Sequence, residues 1–384
     1  MWAACMPRIG LVGHAARQLA AACRALHYMP SLQQFAAIEE LADGILRGCR
    51  LSVSRGVTLT ESSRLDHQLQ AAKLLRELQK RLAERRMSSG LSSSGSNSTG
   101  SLLPLGAAPL RIGISGPPGA GKSSLIETLG CALVEEGERV AVLAIDPSSQ
   151  ASGGAILGDK TRMPRLSASL EAYVRPSPAR GTLGGVARAT FDAILICEAA
   201  GYSKVLVETV GVGQSETAVQ DLVDIFVLVL PPVGGDELQV IKRGVTEMAD
   251  IVVINKADGS TEAAAARAAA AFRSTLSFHR KRRQSWQPTV LTCSAHTGLH
   301  VDKLLQQLAE YQAAMQGSGE LARLRRHQRQ RVAWTAAEEA VLDAFRQSAN
   351  VRWLLGQMTP DIASGALAPR TAAELLAAYN AMYD

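Results

Sequence analysis

Gly116-Pro117-Pro118-Gly119-Ala120-Gly121-Lys122-Ser123 is the stretch whose reading decides the fold. It spells Gly, four residues, then Gly-Lys-Ser, the spacing with which a loop cradles phosphate groups. The apolar run Ile112-Gly113-Ile114 stands before it and Ser124-Leu125-Ile126-Glu127 follows, which predicts strand, loop and helix in that order. Each residue type has a physical reason. Glycines let backbone N–H groups turn inward onto anionic oxygens, and the helix N-terminus adds partial positive charge. Lys122 can bridge the outer phosphates, and the Ser123 hydroxyl can hold Mg²⁺. Gly116, Pro117, Pro118, Gly119, Ala120, Gly121, Lys122, Ser123 and Ser124 are therefore the candidate phosphate-binding residues, with Lys122 also a candidate catalytic residue.

The rhythm around this loop sets the fold class. Apolar strands are expected at Arg111–Ser115, Val140–Asp146, Lys204–Glu208, Ile225–Leu230, Ile251–Asn255 and Thr289–Cys293, with helical stretches between them. Several are rich in Val, Ile and Leu without alternation, as strands covered on both faces should be. The expectation is an α/β fold, a doubly wound and mainly parallel sheet with N- and C-terminal helical extensions.

The chain has 384 residues, 47% of them hydrophobic, enough for a large core. Its six cysteines are scattered with no Cys-x-x-Cys pair, which points to a reducing compartment rather than a disulfide scaffold. No apolar run is long enough for a transmembrane helix. A formal net charge of +6 raises nucleic acid as a partner. The basic stretch Leu321–Arg331 lacks the interleaved aromatics that base stacking wants, so no nucleic-acid partner is expected.

Five segments follow in order. Residues 1–38 hold no Asp or Glu and carry Arg8, Arg17 and Arg24 among alanines and leucines, the composition of an organellar transit peptide, with an ordinary Ala-rich helix of the folded domain as the alternative. Residues 39–87 read as a helical arm, with Leu65, Leu69, Ala72, Leu75, Leu78 and Leu82 recurring at three- and four-residue steps. Such a face packs most simply on the arm's own nucleotide domain. Residues 88–108 are Ser/Gly-rich and read as a linker. Residues 109–316 form the phosphate-loop domain, and 317–384 a helical extension. That extension opens on Leu321–Arg331, whose charges suit either a solvated face or a subunit contact.

Four further segments add chemistry. Asn255-Lys256-Ala257-Asp258 follows an apolar strand. In guanine-nucleotide proteins an Asn-Lys-x-Asp string reads the base: the carboxylate accepts hydrogen bonds from two guanine donors that adenine lacks, and an unpaired carboxylate penalises ATP. Asn255, Lys256 and Asp258 are the base-reading candidates, and Cys293-Ser294-Ala295 resembles the backbone segment that closes over guanine, through Ser294 and Ala295. Glu208-Thr209-Val210-Gly211 stands where GTPases usually keep Asp-x-x-Gly, and Val212 takes the place of the Gln that orients water. Slow intrinsic hydrolysis, accelerated by a partner, is the expectation. Asp146-Pro147-Ser148-Ser149 ends the second strand and Gly158-Asp159-Lys160-Thr161-Arg162 follows it; Asp146 and Asp159 are metal candidates, while helix capping or an Asx-turn suits each taken alone. The Pro231–Gly244 loop is rich in proline and glycine, as a switchable loop or an ordinary connection would be.

Taken together with Arg175-Pro176-Ser177-Pro178-Ala179-Arg180-Gly181-Thr182-Leu183-Gly184-Gly185 and Glu208–Glu216, these strings resemble one family. It is that of the methylmalonic aciduria type A protein and the bacterial G-protein chaperones of methylmalonyl-CoA mutase, P-loop GTPases that serve cobalamin enzymes and metal centres. The resemblance implies a GTP/GDP cycle with Mg²⁺ near Ser123, and Asp146, Asp159 and Glu208 as acids of the metal region. It implies that Gln239 and Lys242 join Lys122 and Glu208 in catalysis, coupling the mutase to hydrolysis. It further implies a homodimer in the mitochondrial matrix that gates adenosylcobalamin loading and protects the mutase. A nickel or cobalt metallochaperone would favour His-rich or Cys motifs, and here Gly298 separates His296 from His300. A small-molecule kinase would not need the guanine reader.

Overall fold

A computed structural model describes residues 32–62, 64–88, 108–146, 163–178, 183–209, 219–232, 247–277 and 282–383. Seven strands form one sheet in the order β3-β2-β4-β1-β5-β6-β7: β1 (Leu110–Ser115), β2 (Val140–Asp146), β3 (Ala172–Pro178), β4 (Lys204–Glu208), β5 (Ile225–Leu230), β6 (Ile251–Ile254) and β7 (Thr289–Thr292). Every pairing is parallel. β1 lies between β4 and β5, so connections pass to both sides of it and open a crevice at the strand C-termini, where ligands bind in such sheets.

Alternate residues of each strand feed two separate cores. Ala141, Leu143, Val205, Val207, Phe226, Leu228, Val252 and Ile254 point to one face. Ile112, Ile114, Val140, Val142, Leu206, Val227, Val229 and Val253 point to the other. The first face is covered by α1 (Leu32–Leu46), α2 (Arg50–Thr60), α3 (Leu65–Ser88), α6 (Leu183–Ala199) and α7 (Glu262–Ser277). The second is covered by α4 (Lys122–Glu135), α5 (Pro164–Ala168), α8 (Val301–Gly317) and the start of α9 (Glu320–Gln347). The helical arm thus packs on its own nucleotide domain, as expected. Its buried stripe is Ala71, Leu74, Leu78 and Leu82, one residue out of phase with the predicted Ala72 and Leu75, and Leu65 is 70% exposed. The helix is rolled so that Ala71 and Leu74 turn inward.

β3 has no counterpart among the expected strands, because Pro176 and Pro178 argue against a ladder. Its place at the sheet edge, paired only with β2, is where proline is tolerated. The arm grips this edge. Glu61 accepts hydrogen bonds from Arg175 (2.5 Å) and from the Ser177 hydroxyl (2.6 Å).

The described residues from 38 to 336 form one compact unit, and those from 337 to 383 belong to another. In the latter, α10 (Ala349–Ser364) packs on α11 (Pro369–Tyr383), with Val351, Met358 and Ala372 buried.

Below the sheet, at the strand N-termini, four charged side chains are buried together. Arg111 makes a bidentate pair with Glu198 (2.7 and 2.9 Å), and the Arg111 backbone N–H donates to Asp224 (2.9 Å). Arg325 Nε donates to the same Asp224 carboxylate at 2.8 Å. Among the residues of the basic stretch, Arg325 is therefore not on a solvated face, whereas Arg323, Arg326 and Arg331 are exposed. Burial alone would push the Asp224 carboxyl up, but the Arg325 and Arg111 guanidiniums more than reverse this and hold it below the usual carboxylate range.

Asp224→Ala would leave Arg325 buried without its partner, at a cost of about 3–5 kcal/mol, seen as a lower urea midpoint. The folded carboxyl titrates below its unfolded value of about 3.9, so its contribution is present above that value and is lost as pH falls from there through the lower folded pKa. The variant should accordingly lose less stability than the parent protein as pH is lowered below about 4.

Candidate nucleotide-binding site

The phosphate-loop sequence sits between β1 and α4, at the C-terminal edge of the sheet. Two of its glycines are dictated by space as well as by backbone angle. Gly116 has φ +148°, and a Cβ there would lie 1.9 Å from the Val229 carbonyl oxygen of β5. Gly121, the residue before α4, has φ +86°, and a Cβ there would meet Asn255 Nδ2 at 2.5 Å. Lys122 is buried, and its ammonium donates to the carbonyls of Gly116 (2.8 Å) and Pro117 (3.2 Å). A cation held over a loop at a helix N-terminus is a ready anion site.

Glu208 reaches the same place from the next strand. Its backbone is in register with Ile114 of β1, and its buried carboxylate accepts a hydrogen bond from the Ser123 hydroxyl at 2.8 Å. Thr209 ties the two strand ends together through its hydroxyl to Ser115 (2.8 Å) and its N–H to the Ile114 carbonyl (3.0 Å). Asp146 closes β2, two residues beyond the Ala144 that pairs with Glu208. Ser123 and Glu208 are both hard oxygen donors, a set that suits Mg²⁺ better than a soft metal.

The third and fourth contributions come from the loops after β6 and β7. The buried Asn255 amide donates to the Ala120 carbonyl (2.9 Å) and accepts from the Ala295 N–H (3.0 Å). It therefore joins the phosphate loop to the Ser294-Ala295 segment. Lys256 adopts φ +58° and is exposed, while Ala257 N–H bonds the Cys293 carbonyl at 3.0 Å. The half-buried Asp258 carboxylate makes no hydrogen bond with the described residues, which leaves it ready to accept from a ligand. Burial pushes the Cys293 thiol up to about 11, so it is a neutral core group.

The structure thus brings Gly116–Ser124, Glu208, Asn255–Asp258 and Ser294-Ala295 to one edge of the sheet. Asp159, Gln239 and Lys242 lie outside the described residues. The His296–His300 pair does not form a ligand set. His300 Nδ1 sits 3.0 Å from the Thr292 carbonyl, and the described residues contain no cluster of three or more metal-ligating side chains. Thr128 was not among the candidates, yet its hydroxyl donates to the Ala295 carbonyl at 2.7 Å. A threonine inside a helix carries no sequence signal for such a contact.

A family model described as methylmalonyl-CoA mutase-associated GTPase MeaB matches residues 98–350. The mouse protein named methylmalonic aciduria type A homolog, mitochondrial, is 46% identical over 342 residues, spanning 88% of this chain and 78% of that one. A GTPase of Caulobacter vibrioides is 45% identical over 344 residues, spanning 89% and 98%. The crystal structure of an LAO/AO transport system kinase superposes with a TM-score of 0.64 at 31% identity, covering 90% of this chain and 97% of that one.

Gly116→Ala forces backbone against backbone, so the loop has to shift. The expected outcome is loss of at least tenfold in nucleotide affinity by fluorescence titration, with a modest fall in melting temperature.

Proposed function

Since the chain belongs to the MeaB family of methylmalonyl-CoA mutase-associated GTPases, we propose that its GTP cycle times a change in an adenosylcobalamin-dependent methylmalonyl-CoA mutase. In this reading it gates cofactor loading into the mutase and protects the loaded enzyme. The chain is a P-loop GTPase. The observation that supports base choice is the Asn255 amide, which links the phosphate loop to the Ala295 backbone, near an Asp258 carboxylate that has no donor among the described residues.

Residues 116–124 hold the phosphates, with the Lys122 ammonium leaving its loop carbonyls for phosphate oxygens. Asn255, Lys256, Asp258, Ser294 and Ala295 frame the guanine. Ser123 and Glu208 hold Mg²⁺, assisted by Asp146 and Asp159, and the ion when bound offsets charge on the outer phosphates. Val212, in place of a water-orienting Gln, leaves intrinsic hydrolysis slow. Gln239 and Lys242 transmit the mutase's presence to the bound nucleotide. The protein works as a homodimer through its terminal helices, on which Trp334, Val341, Leu342 and Trp353 are exposed. Its acid-free first 38 residues direct it to the mitochondrial matrix, in keeping with the name of the mouse relative.

Three measurements test this. The purified protein should prefer GTP over ATP by at least two orders of magnitude, and Asp258→Asn should erase most of that preference. Lys122→Ala removes charge-assisted bonds worth about 1.5–3 kcal/mol each and should weaken GTP binding roughly 100-fold. Adding methylmalonyl-CoA mutase should raise GTP turnover at least tenfold. Unchanged turnover would overturn the chaperone reading while leaving the GTPase intact.

A further inference from the structure

We infer that Thr128, on the phosphate-binding helix α4, is the positioning residue that sets the base-reading loop and with it guanine affinity and selectivity. The inference rests on the assignment of Ser294-Ala295 to the base pocket made above.

The loop after β7 is stiff in itself. Ser294 N–H bonds the Leu299 carbonyl at 3.0 Å, Gly298 N–H bonds the Ser294 carbonyl at 2.9 Å, and Thr297 N–H bonds the Ser294 hydroxyl at 3.1 Å. Such a loop moves as a body, so its position depends on its outside ties. On one side Asn255 Oδ1 accepts the Ala295 N–H (3.0 Å), and Ala257 N–H bonds the Cys293 carbonyl (3.0 Å). On the other side Thr128 Oγ1 donates to the Ala295 carbonyl at 2.7 Å. The two peptide groups that flank the Ala295 Cα are thereby held by two different elements, the segment after β6 and helix α4. A body tied along one edge can swing, and the second tie removes that freedom.

A threonine within a helix ordinarily returns its hydroxyl proton to the carbonyl four residues back. The Ser124 carbonyl offers this at 3.0 Å, yet the Ala295 carbonyl, 167 residues away in sequence, is closer at 2.7 Å. The helix that supplies Thr128 begins with Lys122 and Ser123 and is anchored by the buried Leu125, Ile126 and Leu129. Phosphate site and base loop therefore share one rigid reference. A nucleotide spans the two, so a loop set at the wrong distance loses base contacts while the phosphate contacts stay intact. A role confined to supporting α4 would behave differently, weakening all nucleotides alike.

The test compares Thr128→Val, which keeps the branched shape, with Thr128→Ser, which keeps the hydroxyl; Thr128→Ala serves if the valine variant does not fold. Affinities for GDP, GTP and ATP are measured on the full chain, together with kcat and KM for GTP. The valine variant is expected to bind GDP and GTP roughly three- to tenfold more weakly. ATP binding should hold, so that the GTP-to-ATP ratio falls by the same factor. KM should rise with kcat at saturation unchanged, and the serine variant should match the parent. An unaltered ratio, or equal losses for GTP and ATP, overturns the inference and leaves the base pocket standing. A parent protein with no preference for GTP, or an Asp258→Asn variant that keeps the full preference, overturns the base-pocket reading and this inference with it.

Discussion

A sheet whose strands all run parallel must bury both faces, because the crossovers that join its strands lay helices on each side. That constraint governs most of this molecule. Residues such as Val252 and Val253 are neighbours in sequence yet belong to different cores. Two layers of helix are needed to cover them, and one of those layers includes the N-terminal arm. α1, α2 and α3 supply Ile45, Val57, Leu74 and Leu78 to the same core as Val207 of β4. The arm is therefore part of the nucleotide domain's interior and not an appendage.

With both faces occupied by apolar packing, polar chemistry is confined to the two ends of the strands. At the N-terminal ends the charges are structural: Arg111, Glu198, Asp224 and Arg325 satisfy one another out of water and bind the start of α9 to β1 and to the residue before β5. At the C-terminal ends the polar groups face the crevice and hydrogen-bond across loops. Lys122 rests on loop carbonyls, and Asp258 has no donor among the described residues. The difference is physical. A buried charge pair with complete hydrogen bonding resists exchange of partners, whereas lightly held groups at a crevice can trade their contacts for those of a ligand.

Much of this was legible before any coordinates. Strands β2, β4 and β5 have the expected bounds, since a strand buried on both faces is built around an unbroken apolar run. β3 was not legible. Tyr173 and Val174 are flanked by Arg175, Pro176 and Pro178, and only an edge position makes room for them. The roll of α3 was missed by one residue because Ala71 and Ala72 are equally apolar, and the choice between them belongs to the surface they meet. Arg325 looks like its neighbours Arg323 and Arg326 in the basic stretch. Its burial follows from Asp224, 101 residues earlier in the chain.

By itself the sequence determined the local motifs: the phosphate loop, the Asn255–Asp258 string, the acid at Glu208 and the parallel sheet that orders them. These are legible because each depends on residues close together in the chain. Tertiary structure alone decided how the pieces are held. It seated Glu208 against the Ser123 hydroxyl, placed the Asn255 amide between Ala120 and Ala295, and brought the Thr128 hydroxyl to the Ala295 carbonyl as well as to the Ser124 carbonyl of its own helix. Those contacts join residues 40 to 167 positions apart. They arise because several strand ends meet along one edge of the sheet, and hydrogen bonds formed there leave no periodic trace in the sequence.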